Sequence, residues 1–198
     1  MTTKHPDRSS VLRIFAHDPG SRNYGYAIVE GRRIGHRIAY RVVENGLCPC
    51  PINDLKNHDI RRKQRTSYLK WIRGIVCKHK IAGMFAERYM TRGIKGPTIE
   101  SVNMMLGMLQ SLELPDRYIP AVVWKNAVAR QGIDLKSEYR LCCTAPHQLD
   151  ASLIGVYGIH QVFGMKDFGS MDKRQFIKLV HQIENTSQAK LYNRKAVR

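Results

Sequence analysis

Apolar positions fall into short runs in the first third of the chain and into helical spacing afterwards. Residues 12–16 and 24–29 are two apolar runs separated by Pro19, Gly20, Ser21 and Asn23, the composition of a tight turn. They predict a β-hairpin whose first strand carries Asp18 at its far end. A third strand is expected over 37–44, with Glu30-Gly31 as the turn before Arg32-Arg33, so that the first three strands form an antiparallel meander. Cys48-Pro49-Cys50-Pro51 then interrupts regular structure. Over 57–79, Ile60, Tyr68, Leu69, Trp71, Ile72, Ile75 and Val76 recur at helical spacing, surrounded by Arg61, Arg62, Lys63, Arg65, Lys70 and Arg73. Residues 81–86 read as a buried strand ending on Glu87. The next helix spans 98–112, with Thr98 as its N-cap candidate behind Pro97 and with Met104, Met105 and Met108 as packing residues. A strand over 117–123, a helix over 137–143 and a helix from Pro146 through Tyr157 complete the pattern, before a basic tail with helical character over 173–184.

Three strands followed by helix–strand–helix–strand–helix predict an α/β fold: a mixed five-stranded sheet flanked by helices. Residues 1–10 read as a loose leader. Residues 1–160 form the domain, and 161–198 a basic helical extension of it. At 198 residues and 43% hydrophobic content, the chain is long enough to bury a core without disulfide staples. No apolar run reaches the ~18 residues of a membrane span, and the first residues lack the apolar segment of a secretory signal. Five cysteines, two of them adjacent at Cys142-Cys143, suggest free thiols in a reducing compartment. Cys48 and Cys50 have no second C-x-x-C or His pair, which argues against zinc.

Charge changes the picture most. Thirty-three Lys and Arg against 16 Asp and Glu leave +17, an excess that repels itself unless a polyanion offsets it. Nucleic acid is favoured, since each neutralised phosphate releases counterions. A membrane surface is disfavoured, because the basic residues do not gather on one amphipathic membrane-type helix.

The candidate chemistry lies in a few acids at placed positions. Asp18 and Glu87 each end a strand, while His147 and Asp150, three apart behind Pro146, share one helix face. Taken singly these are a hairpin-end acid, a solvated strand end, and a helix cap with a first-turn acid. Taken together they form a like-charged cluster that is costly without a cation. Such an oxygen-rich set suits Mg²⁺ or Mn²⁺, and two ions would activate water and stabilise the leaving oxygen of a phosphodiester. Asp116, Asp134, Asp167 and Asp172 fall in expected loops without partners.

The run D-P-G-S-R-N-Y-G-Y, a later A-E-R-Y and a final H-x-x-D-A resemble the RuvC family of Holliday junction resolvases, of the RNase H-like superfamily, including its phage members. The resemblance covers about residues 12–157. It implies homodimers that nick four-way DNA junctions symmetrically in the bacterial cytoplasm, or in the host cytoplasm for a phage protein. It implies Asp18, Glu87, His147 and Asp150 as ligands of two Mg²⁺ ions, replaceable by Mn²⁺. Lys125 and Lys136, eleven residues apart, match the two lysines the family places near the scissile phosphate. The segment between Lys136 and His147 is shorter than in the family. A junction-stacking residue is implied just beyond Glu87, where both Tyr89 and Met90 stand; either would wedge into an opened base pair. Arg61, Arg62 and Arg65 are the leading candidates for DNA-backbone contact. The alternatives are a broader branched-DNA or flap nuclease of this fold and a non-catalytic junction-binding protein. An actin-like ATPase is disfavoured because no further glycine-rich phosphate loop is present.

Overall fold

A computed structural model describes residues 11–20, 22–34, 37–88, 96–130, 132 and 145–163 of the chain. Five strands, β1 (Leu12–Asp18), β2 (Gly25–Ile34), β3 (Arg37–Leu47), β4 (Gly83–Glu87) and β5 (Asp116–Ile119), form one sheet in the order β3-β2-β1-β4-β5. The first three are antiparallel, whereas β4 runs parallel to β1, and β5 parallel to β4. Among the described residues four helices accompany them: α1 (His58–His79), α2 (Pro97–Gln110), α3 (Ala121–Arg130) and α4 (Pro146–Phe163). Among the described residues, no helix is long and apolar enough to cross a membrane.

The alternation of strand side chains divides the core into two layers. Ile14, Ala16, Val29 and Phe85 face α3 and α4, whereas Phe15, Ile28 and Met84 face α1 and α2. On the second face, Val102, Met105, Met108 and Leu109 of α2 pack with Tyr68, Ile72 and Ile75 of α1. On the first face, α4 lies close to the sheet because both partners are small at the contact. A Cβ on Gly155 would collide with Val29 and approach Ala16, and one on Gly158 would press on Phe85 at 2.9 Å. Asn57 caps α1 by accepting from the N–H groups of Asp59 and Ile60. Lys80, at φ 51°, ends it in a left-handed turn.

Four sequence expectations are corrected. The strand expected over 117–123 stops at Ile119, and residues 121–123 open α3. Pro120 cannot donate to a ladder, and helical spacing buries Trp124 and Val128 together, which outweighs the strand preference of Val122 and Val123. Asp116 accordingly begins β5 and is not a loop residue. Glu30-Gly31 is no turn, because β2 continues through both. The Glu30 carboxylate is buried between Arg13 (2.6 Å) and Arg41 (2.7 Å), and a side chain at position 31 would collide with Ile159 of α4. Thr98 does not cap α2. Gly96 holds the N-cap position without a side-chain bond, and Pro97 starts the helix. The expected helices over 137–143 and 173–184, the leader 1–10 and the extension beyond 163 lie outside the described residues.

Candidate active site

β1 and β4 are adjacent and parallel, with His17 level with Ala86. One residue further, Asp18 and Glu87 end the two strands at the same edge of the sheet. Both follow the parity of Ala16 and Phe85 and so face the layer of α3 and α4. The N-terminus of α4 is seated over this edge by Gly25, the register partner of Asp18; a Cβ there would collide with the backbone carbonyl of His147. That close approach is the physical reason for glycine at this position.

Three polar contacts organise the edge. His147 Nδ1 and Asp18 Oδ2 share a hydrogen bond of 2.6 Å. Trp124 Nε1–H of α3 donates to Glu87 Oε2 at 3.0 Å. Lys125 Nζ, also on α3, lies 3.2 Å from Asp150 Oδ2 on α4. Asp18 is 6% exposed, and its carboxyl is raised from 3.8 to about 6. Burial is the main cause; Glu87 and Asp150 add to it by repulsion, and the His147 contact opposes it. Asp150 is thus near enough to influence Asp18 electrostatically, although its own ion pair is with Lys125.

Among the described residues, no three His, Cys, Asp or Glu side chains stand close enough together to hold a metal ion. The donor set nevertheless fits a hard divalent cation in chemistry: three carboxylates and one imidazole reach one edge. Lys125 lies against one of these carboxylates, and the His147 imidazole against another. Ligation through Oδ2 of Asp18 or of Asp150 would require His147 or Lys125 to release that oxygen.

Behind the site, on the opposite face of β1, His17 is fully buried in an aromatic cluster. Tyr68 donates to Tyr24 at 3.3 Å, and the Tyr24 hydroxyl lies 3.1 Å from His17 Nδ1. Burial lowers the His17 pKa to about 3, so the imidazole is neutral. Tyr68 also fixes the course of α1. Its contact with Tyr24 lies near the Asp18 end of the sheet, while His79 O at the far end of α1 accepts from Arg13 near the start of β1. The ten α1 residues before Tyr68, about 15 Å of helix, therefore lie toward the Asp18 end. Arg62, Lys63 and Arg65 are exposed on this segment. Arg61 is half-buried and donates to Leu55 O at 3.3 Å, and Gln64 Oε1 accepts from the N–H groups of Asn53 and Asp54. These bonds brace the preceding loop against the helix.

The structure thus brings Asp18, Glu87, His147, Asp150 and Lys125 to one edge, with Arg62 and Arg65 on the neighbouring layer. Lys136, Tyr89 and Met90 lie outside the described residues. Sequence reasoning did not find Trp124 or Gly25. Their signals were a tryptophan directly before the candidate lysine in V-V-W-K and the glycine between two tyrosines in Y-G-Y.

No family model matches the chain, and no curated protein matches it by sequence. The fold does have counterparts among solved structures. The order β3-β2-β1-β4-β5 with helices on both faces places the chain in the RNase H-like class of α/β folds. Within that class it is similar to RuvC of Thermus thermophilus, at a TM-score of 0.59 and 13% identity over 75% of this chain and 95% of RuvC. The same protein in complex with a Holliday junction substrate gives 0.58 at 13% identity, over 77% of this chain and 97% of RuvC. A yeast mitochondrial Holliday junction resolvase aligns more loosely, at a TM-score of 0.43 and 13% identity over 88% of this chain and 81% of its own. At this identity the likeness is one of fold.

Proposed function

We propose that the chain is a metal-dependent, structure-selective endonuclease that resolves four-way DNA junctions by paired symmetric nicks leaving 5′-phosphate ends. The observation that carries this reading is the meeting of Asp18, Glu87, His147, Asp150 and Lys125 at one sheet edge of a RuvC-like fold. Asp18, Glu87, His147 and Asp150 would hold Mg²⁺, two ions per site, with Mn²⁺ able to substitute. Bound there, the ions would supply a nucleophilic water and would stabilise the departing 3′ oxygen.

The remaining work falls to the chain's own groups. Lys125, released from Asp150, neutralises charge growing on the phosphorane, and Lys136 is the second candidate for that role. Arg62 and Arg65 draw phosphates of an adjoining DNA arm toward the same edge. His147 orients Asp18 until metal and DNA arrive. Tyr89 or Met90 serves as the wedge at the branch point. Two copies in a homodimer present two such edges to the two-fold symmetry of a junction.

Cleavage of labelled four-way, three-way and flap substrates in Mg²⁺ tests the reading, with Asp18→Asn as control. Paired nicks favouring the four-way substrate, lost in Asp18→Asn while binding persists, are the expected result. Equal rates on all three substrates would replace it with a general branched-DNA nuclease, and binding without any cleavage would replace it with a non-catalytic junction binder.

A further inference from the structure

We infer that Trp124 is a positioning residue that fixes the Glu87 carboxylate for metal binding through its indole N–H; this rests on the reading of Glu87 as a metal ligand. Trp124 is 1% exposed and belongs to the core between the sheet and the α3–α4 layer. Packing alone would be satisfied by any large apolar ring. A buried indole N–H, however, can only donate and requires an acceptor. Here the acceptor is Glu87 Oε2 at 3.0 Å, at the half-exposed end of β4.

The backbone makes this contact rigid. Glu87 is level with Ile119 of β5, Arg88 N–H donates to Ile119 O at 2.7 Å, and only Pro120 separates β5 from α3. Trp124 is thus held at a fixed offset from the carboxylate it binds. By occupying Oε2 it removes the torsional freedom of a strand-end glutamate and leaves Oε1 for an ion. The following residue, Lys125, ties the same helix to Asp150. α3 therefore holds carboxylates from β4 and α4 through two consecutive side chains. Partners that orient a metal ligand from outside the coordination sphere typically contribute 10- to 100-fold in metal affinity.

The test is a calorimetric Mn²⁺ titration of the full chain without DNA, comparing wild type with Trp124→Phe and with a variant carrying benzothiophene in place of the indole. The second replacement deletes the N–H and preserves the ring, so it decides the matter if Trp124→Phe fails to fold. The expected result is Mn²⁺ affinity weakened about 10- to 100-fold, together with a fall in kcat at unchanged junction Kd. Wild-type Mn²⁺ affinity in a folded N–H-deleted variant would overturn the inference. Glu87→Gln, titrated alongside, separates the two levels: unaltered Mn²⁺ binding there would show that Glu87 is no ligand and remove the reading beneath it, whereas weakened binding in Glu87→Gln but not in the N–H-deleted variants would remove the inference alone.

Discussion

Replacing Asp18 by asparagine should make the metal-free protein more stable while abolishing its activity. The Asp18 carboxyl titrates at about 6 in the folded protein against 3.8 for a free carboxyl, chiefly because it is buried. Between these values the folded state holds a proton that the unfolded chain has lost, so stability falls as pH rises through that window. The difference is about two pH units at about 1.4 kcal/mol each, or roughly 3 kcal/mol at pH 7 and above. The contribution vanishes below about pH 4, where both states are protonated. Asparagine is neutral at every pH and can still accept from His147, so it removes the cost of the buried charge. For a domain of this size, the variant should melt about 6–12 °C above wild type at pH 8, with the gap closing toward pH 4. Thermal unfolding in EDTA at fixed ionic strength, from pH 4 to 8, measures this. Added Mg²⁺ should raise the melting temperature of wild type more than that of Asp18→Asn. Parallel pH curves for the two proteins, or a less stable variant at pH 8, would refute the assignment of Asp18 as a buried, self-repelling carboxylate.

Other changes read different parts of the arrangement. Lys125→Met should change stability by no more than about 1 kcal/mol, since Lys125 is half-exposed and its partner Asp150 only part-buried; it should lower single-turnover cleavage about 100-fold with junction binding retained. Gly25→Ala should lose about 1–3 kcal/mol in denaturant unfolding, because its Cβ would displace the start of α4 at His147; it should lower cleavage as well. Arg62→Ala with Arg65→Ala should weaken junction binding and reduce the slope of log affinity against log salt by about 2, if each neutralises one phosphate. An unchanged slope would confine these arginines to a solvated face.

The carboxylate positions were legible in the sequence because short apolar runs deliver Asp18 and Glu87 to strand ends, although each taken singly reads equally as an ordinary polar strand end. Their adjacency was not legible from periodicity. It depends on the crossover through α1 that lays β4 beside β1, a long-range pairing that local spacing does not report. The helical face shared by His147 and Asp150 was also legible, but not that His147 meets Asp18 while Asp150 meets Lys125. Val122 and Val123 misled because local β-propensity is weak against the burial of Trp124 and Val128 one helical turn apart. Glu30 misled for the opposite reason: a lone charge before glycine suggests a turn unless two arginines, 17 residues before it and 11 after, are known to meet it.

In the proposed function, Asp18, Glu87, His147 and Asp150 ligate divalent metal at this edge. Anomalous scattering from an Mn²⁺-soaked crystal measures it directly. The expected result is manganese bound by Asp18, Glu87, His147 and Asp150, with Lys125 withdrawn from Asp150. Manganese bound elsewhere, or an Asp18–His147 and Lys125–Asp150 arrangement unchanged at saturating Mn²⁺, would contradict it.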